Sequence, residues 1–317
     1  MTKVRNVFAV VFFVIFAGSV LAQERTDEEY KKWQADSIKI AQRNAAKKAE
    51  LAKKDASNAP KLHYKEGLNF YRLGQYMRAV AEFDKAIELA PDYEKAHYSK
   101  GLSLNKARRY KEAEPAFLKA AELNPANEKV HYSLGLLYKR FGRANDAVAS
   151  LTKAIEIKPD YAIAMYILGT VYLDQKKDYN SAIKQFGNAT GANPNYDKAF
   201  FALGTAYMSL GKYNDAISAF DSASKLKPKG YTYTGSLASA YNKVGKFSNA
   251  VDAAKNSLSA KSNYAPAAFE AGYALRNLGR YSEAIKYLQI AAKDGTWRES
   301  ATYEIETIKE EQKRGGR

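Results

Sequence analysis

Residues 197–230 read DKAFFALGTAYMSLGKYNDAISAFDSASKLKPKG, and the organisation of the whole chain follows from this stretch. Phe200, Leu203, Gly204 and Tyr207 fall three or four residues apart, as do Ala216, Phe220 and Ala223, so the stretch reads as two amphipathic helices. Gly211 lies just past the first helix, where a residue of positive φ stops it. Pro228 ends the second and begins a turn, because proline has no N–H with which to continue the helical bonding. Gly204, Ala216 and Ala223 remove bulk where helix backbones approach, and Tyr207 and Phe220 fill the space that is left.

The same marks recur outward in both directions. Pro91, Pro125, Pro159, Pro194 and Pro228 are spaced 34, 34, 35 and 34 residues apart, a period that signals a solenoid. With each proline numbered 32 in its repeat, Gly67, Gly101, Gly135, Gly169 and Gly204 all fall at position 8. Phe70, Leu104, Tyr138, Tyr172 and Tyr207 occupy position 11, and Ala79, Ala113, Ala147, Ala182 and Ala216 occupy position 20. Phe83, Phe117, Leu151, Phe186 and Phe220 stand at position 24, Ala86, Ala120, Ala154, Ala189 and Ala223 at 27. Gly74, Gly142, Gly211, Gly245 and Gly279 mark the inter-helix turn at position 15. The fourth repeat has one extra residue near Lys177-Asp178. Two further units, 231–264 and 265–298, depart from the pattern: the sixth has Ala238, Ala254, Ser257 and Ser262 at the four marker positions, and the seventh lacks the proline.

In Leu203-Gly204, Tyr207, Ala216, Phe220, Ala223 and Pro228, repeated in register, the chain resembles the tetratricopeptide repeat family. The resemblance covers residues 60–298, about three quarters of the chain. It implies an all-α fold: a right-handed superhelical solenoid of about seven helix pairs whose concave inner face holds a segment of another protein, without catalysis. Such arrays require terminal caps. Residues 299–317 are expected to supply a capping helix and polar tail, with Trp297, Ala301, Ile305 and Ile308 as its apolar stripe and Glu299, Glu304, Glu306, Glu310 and Glu311 turned outward. Residues 23–59 read as a charged N-terminal helix and linker, broken over Asp55–Pro60, whose mostly alanine stripe is too weak for a coiled coil.

Lys3 and Arg5 precede an uncharged apolar stretch from Val7 that runs into Gly18-Ser19-Val20-Leu21-Ala22. That is the pattern of a signal peptide over residues 1–22, and it predicts export to a periplasm or the extracellular space, in association with an outer-membrane complex as one arrangement. The absence of cysteine suits an oxidising compartment and excludes disulfides and thiolate metal sites. The net charge of +16 is spread over all segments, as on a solvated surface, and an exported chain is not expected to bind nucleic acid.

No nucleophile elbow, phosphate loop or paired zinc-ligand motif is present, so neither an enzyme nor a cofactor is expected. Gly211-Lys212-Tyr213 and Gly245-Lys246-Phe247 lack the Ser or Thr a phosphate loop needs and read as inter-helix turns. His63, His97 and His131 share position 4, where the family places a packing residue; equivalent residues of successive repeats lie on the order of 10 Å apart, too far to share one ion. The resemblance places positions 2, 5, 9 and 12 of each first helix on the concave groove. Position 5 carries Tyr64, Tyr98, Tyr132, Tyr166 and Phe201, and position 2 carries Lys61, Lys95, Lys129 and Lys198. Flat aromatic faces beside lysines suit an extended, acidic peptide segment, or an envelope glycan stacking on the same rings. Self-assembly into a structural protein is a third reading. The family's carboxylate clamp for chaperone tails is not matched, since Leu68, Leu102 and Leu136 stand where it needs Asn and tyrosines where it needs Lys. Finally, Ala254, standing where neighbouring repeats have Phe220 and Leu288, marks 231–264 as the expected weakest joint.

Overall fold

A computed structural model describes residues 27–315; the signal-peptide reading of residues 1–22 lies outside them. Every regular element among the described residues is helical. No helix among them is long and apolar enough to cross a membrane. Contacts divide the chain into two units, one ending at Arg109 and one beginning at Tyr110.

The first unit holds α1 (Asp27–Arg72), α2 (Tyr76–Leu89) and α3 (Glu94–Lys106). The end of α1 packs on α2, and α2 on α3. At their contact Gly67 meets fully buried Phe83, and a Cβ on Gly67 would come within 2.5 Å of that ring. The expected break over residues 55–60 is absent: α1 runs straight through Pro60. A proline inside an exposed helix forgoes one backbone bond, while its fixed φ remains helical and water can take up the freed carbonyl. Ser57 nearby donates its hydroxyl to the Lys54 carbonyl at 2.9 Å.

The second unit begins with α4 (Tyr110–Leu123) and continues in pairs. These are α5 (Glu128–Arg140) with α6 (Ala144–Ile157), α7 (Ala162–Thr170) with α8 (Tyr179–Ala192), and α9 (Asp197–Ser209) with α10 (Tyr213–Leu226). Then follow α11 (Tyr231–Lys243) with α12 (Phe247–Ala260), α13 (Ala265–Asn277) with α14 (Tyr281–Ala291), and α15 (Arg298–Gly315) alone. Four pairs repeat one contact: Gly135 against Leu151, Gly169 against Phe186, Gly204 against Phe220 and Gly272 against Leu288, where a Cβ would meet the side chain at 2.5–2.6 Å. The turn glycines hold φ near 70°, as at Gly211 with φ 69°. Arg108 (φ 62°) and Lys177 (φ 54°) take this left-handed conformation without being glycine, at roughly 1–2 kcal/mol each. The extra residue of the fourth repeat is absorbed by a π-helical turn, Val171–Lys176, continuing α7. A π turn closes i→i+5 bonds and so takes up one inserted residue without breaking the helix.

The sixth repeat packs through small residues. Ala238 and Ala254 are fully buried, Tyr264 lies against Gly235, and α11 packs directly on α13 as well as on α12. Ala253 and Ala254 share one buried cluster with Leu237, Ala238, Ala267 and Ala271, against which Tyr241, Leu258 and Tyr264 pack. At the end of the array α15 buries Ala301 and Ile308 against Leu275 and Leu288 of the last pair. Glu304 does not face outward as expected: it is buried and accepts from Arg276 at 2.7 Å, and Glu311 accepts from the same guanidinium. That bond holds the Glu311 carboxyl below its ordinary value.

Candidate functional site

Position 5 lies three residues after position 2 on each first helix, so the two share a helix face. In the second unit Tyr132, Tyr166 and Phe201 are half-buried there, while Lys129 and Lys198 are exposed. Ile163, the position-2 residue between them, is also exposed. In the first unit Tyr64 and Tyr98 are half-buried and Lys61 and Lys95 exposed.

These rings pack against aromatic neighbours. Tyr166 packs on Phe186 at 5.8 Å between centroids and on Tyr196 at 5.2 Å. Phe201 packs on Phe220 at 5.5 Å and on Tyr233 at 4.9 Å. Tyr132 meets Tyr161 at 5.3 Å, and in the first unit Tyr64 meets Phe83 at 5.7 Å and Tyr93 at 5.1 Å. The position-5 aromatics therefore do structural work with their inner faces, and only the remaining part of each ring is open to a ligand. Sequence reasoning missed their partners at position 34, Tyr93, Tyr161 and Tyr196, although Tyr93 and Tyr161 lie two repeats apart and Tyr161 and Tyr196 are separated by the repeat with the extra residue.

The electrostatics keep these phenols neutral. Burial pushes the Tyr196 hydroxyl up to about 12 and raises Tyr166. Tyr233 is raised by burial and donates to Asp197 at 2.8 Å. Lys139, at position 12 of α5, reaches α7 and donates to Thr170 Oγ1 at 2.7 Å; burial lowers its pKa. Three repeats further, Asn242 donates to the carbonyl and the carboxylate of Glu270 at 3.0 and 2.7 Å. Position 12 thus links neighbouring first helices, a role the sequence pattern did not disclose. His97 and His131 each set Nε2 2.9 Å from the carbonyl of the proline six residues before, Pro91 and Pro125, and so brace the turn between repeats. His63 makes a different contact, with Nδ1 2.7 Å from Glu82.

A family model described as tetratricopeptide repeat matches residues 64–128, 132–197 and 236–299, and a second of the same description matches 175–234. No curated protein matches the chain. Among solved structures, a tetratricopeptide repeat protein from Parabacteroides merdae is similar with a TM-score of 0.55 at 16% identity, over 79% of this chain and 99% of that one. Pseudomonas aeruginosa PilF gives 0.56 at 17% identity, over 67% and 96%. The MamA protein gives 0.52 at 21% identity, over 56% and 96%. At such identities these likenesses speak for the fold alone. The family models span more than half of the sequence, in the register of the glycine, aromatic and alanine contacts seen in the helix pairs; the chain belongs to the tetratricopeptide repeat family.

Proposed function

We propose that this chain is an exported, non-catalytic scaffold of the bacterial cell envelope that holds an extended, acidic segment of a partner protein against its first helices. A tetratricopeptide array is in general a scaffold for protein–protein interaction. One observation supports the finer reading. Over α5, α7 and α9 the half-buried rings of Tyr132, Tyr166 and Phe201 recur at one register, with exposed Lys129 and Lys198 three residues ahead on the same face. Rigid rings give contact area at low entropic cost, and the lysines draw in acidic flanks. Affinity comes from many modest contacts along the segment, so each alone counts for little. Export is carried by the reading of residues 1–22 as a signal peptide.

Because the rings also pack inward, the test reverses the lysines, which are exposed and leave the fold alone. The chain and its Lys129→Glu, Lys198→Glu variant are used to capture proteins from envelope extract. A protein retained by the parent and released from the variant, undisturbed by added soluble peptidoglycan, is the expected result. Equal capture by both overturns the acidic-segment reading, and displacement by peptidoglycan replaces it with the glycan.

A further inference from the structure

The first repeat differs from all others at two positions, which come together in space with the histidine it shares with the next two repeats. Position 7 carries Glu66, where later repeats have Lys100, Leu134, Leu168, Leu203, Leu237 and Ala271. Position 23 carries Glu82, where they have Ala116, Ser150, Gln185, Ala219, Ala253 and Tyr287. Position 4 carries His63, and its equivalents His97 and His131 are committed to the carbonyls of Pro91 and Pro125. No such turn precedes His63, because α1 continues unbroken and the corresponding residue, Ser57, is inside the helix. The imidazole turns instead toward the two carboxylates. His63 Nδ1 lies 2.7 Å from Glu82 Oε2 on α2 and 3.8 Å from Glu66 Oε2 on its own helix. All three ligand atoms lie within 4.8 Å of one another.

From this juxtaposition we propose that His63, Glu66 and Glu82 form a binding site for a divalent cation of the zinc class, joining α1 to α2 within the first repeat. Zinc takes nitrogen and carboxylate oxygen at about 2.0–2.2 Å, which puts tetrahedral ligands about 3.3 Å apart. The two imidazole–carboxylate separations, 2.7 and 3.8 Å, bracket that value, so small side-chain rotations suffice. The donor set selects the ion: imidazole suits zinc and its transition-metal neighbours, whereas calcium and magnesium take oxygen ligands in greater number. Glu82 is half-sheltered, and Lys85 donates to its other oxygen, Oε1, at 2.8 Å. That contact fixes the carboxylate with Oε2 toward the imidazole, the kind of outer support that orients a ligand. Binding displaces the proton shared by His63 and Glu82, and the three protein ligands leave a fourth position for water or a side chain of a bound partner.

The site is tested with the untagged full chain, stripped of metal and dialysed against zinc. One zinc per chain is expected. His63→Ala and Glu66→Gln are each expected to weaken binding by more than about tenfold, and His97→Ala to leave it unchanged. Glu66 is half-exposed and its contact to His63 is long, so its substitution tests the site without testing the fold. Absence of bound zinc in the parent, zinc retained equally after His63→Ala and Glu66→Gln, or equal loss in His97→Ala overturns the proposal.

Discussion

The fifth and sixth repeats solve one packing problem in two opposite ways. In the fifth, Phe220 fills the space opposite Gly204, Phe201 lies on it, and Gly230 stands at position 34. In the sixth, alanines face each other as Ala238 and Ala254, Gly235 stands at position 5, and the ring has moved to position 34 as Tyr264. A Cβ on Gly235 would meet Tyr264 at 3.0 Å and the Ser257 hydroxyl at 3.3 Å, so the space once given to Phe201 is occupied. Tyr264 in turn meets Tyr231 edge-on at 4.9 Å. The fifth repeat fills the joint between its helices with one large ring; the sixth lines it with buried small residues and Tyr264. A missing phenylalanine therefore marks a cavity only if the helices stay where they were, since the cost of truncation depends on how far the site can collapse.

The largest effect expected from this contrast belongs to Phe220→Ala. In the fifth repeat the helix spacing is set by Gly204 against the ring, neighbouring repeats hold both helices in place, and truncation costs about 3–5 kcal/mol in chemical denaturation. Hydrogen exchange adds the local view: in the parent, 231–264 is expected to be protected as well as 197–230, and in the variant 197–230 opens first. Faster exchange of 231–264 in the parent would bear out the weak-joint reading of Ala254 and break the comparison.

Next in size is the reverse change. Ala254→Phe forces a ring into a fully buried position beside Ala238, and overpacking of this kind costs about 1–3 kcal/mol. Adding Ala238→Gly removes the methyl group the new ring would strike and rebuilds the pair seen at Gly204 and Phe220. The double variant is expected to be more stable than Ala254→Phe alone, with the two changes coupled in a double-mutant cycle. Additive effects would show that positions 8 and 24 do not set the helix spacing between them.

The contrast also shows what could be read without coordinates. The pairing of position 8 with position 24 was legible, because a glycine and a large side chain recurring together imply close approach, and Gly135, Gly169, Gly204 and Gly272 meet their partners as expected. The turns were legible through their glycines, yet Arg108 and Lys177 take the same left-handed φ and no residue preference announces them. The extra residue was placed correctly near Lys177, but its form, a π turn, depends on hydrogen bonds that spacing does not encode. Pro60 and Glu304 misled for opposite reasons. A breaker is tolerated where solvent can satisfy the backbone, as in α1, and a charge is buried where Arg276 waits for it. At the candidate site the register of Tyr132, Tyr166 and Phe201 was plain, whereas their division into a packed side and an open side needed Tyr161, Tyr196 and Tyr233 to be seen beside them.

The smallest effect sharpens the comparison at one hydroxyl. Ser257 is fully buried and donates to the Tyr231 carbonyl at 2.7 Å, while its counterpart in the fifth repeat is the equally buried Ala223. The hydroxyl can be buried in the sixth repeat because Gly235 and Tyr231 bring an acceptor to it; the fifth repeat, spaced by Phe220, needs only a methyl at that place. Ser257→Ala is therefore expected to cost about 1 kcal/mol, the net worth of a typical internal hydrogen bond. Ala223→Ser is expected to destabilise as well, by about 1–3 kcal/mol when the new hydroxyl finds no partner. Denaturation of the two single variants decides it: if Ala223→Ser is neutral, the fifth repeat already offers an acceptor at position 27, and the two repeats are closer in construction than their side chains suggest.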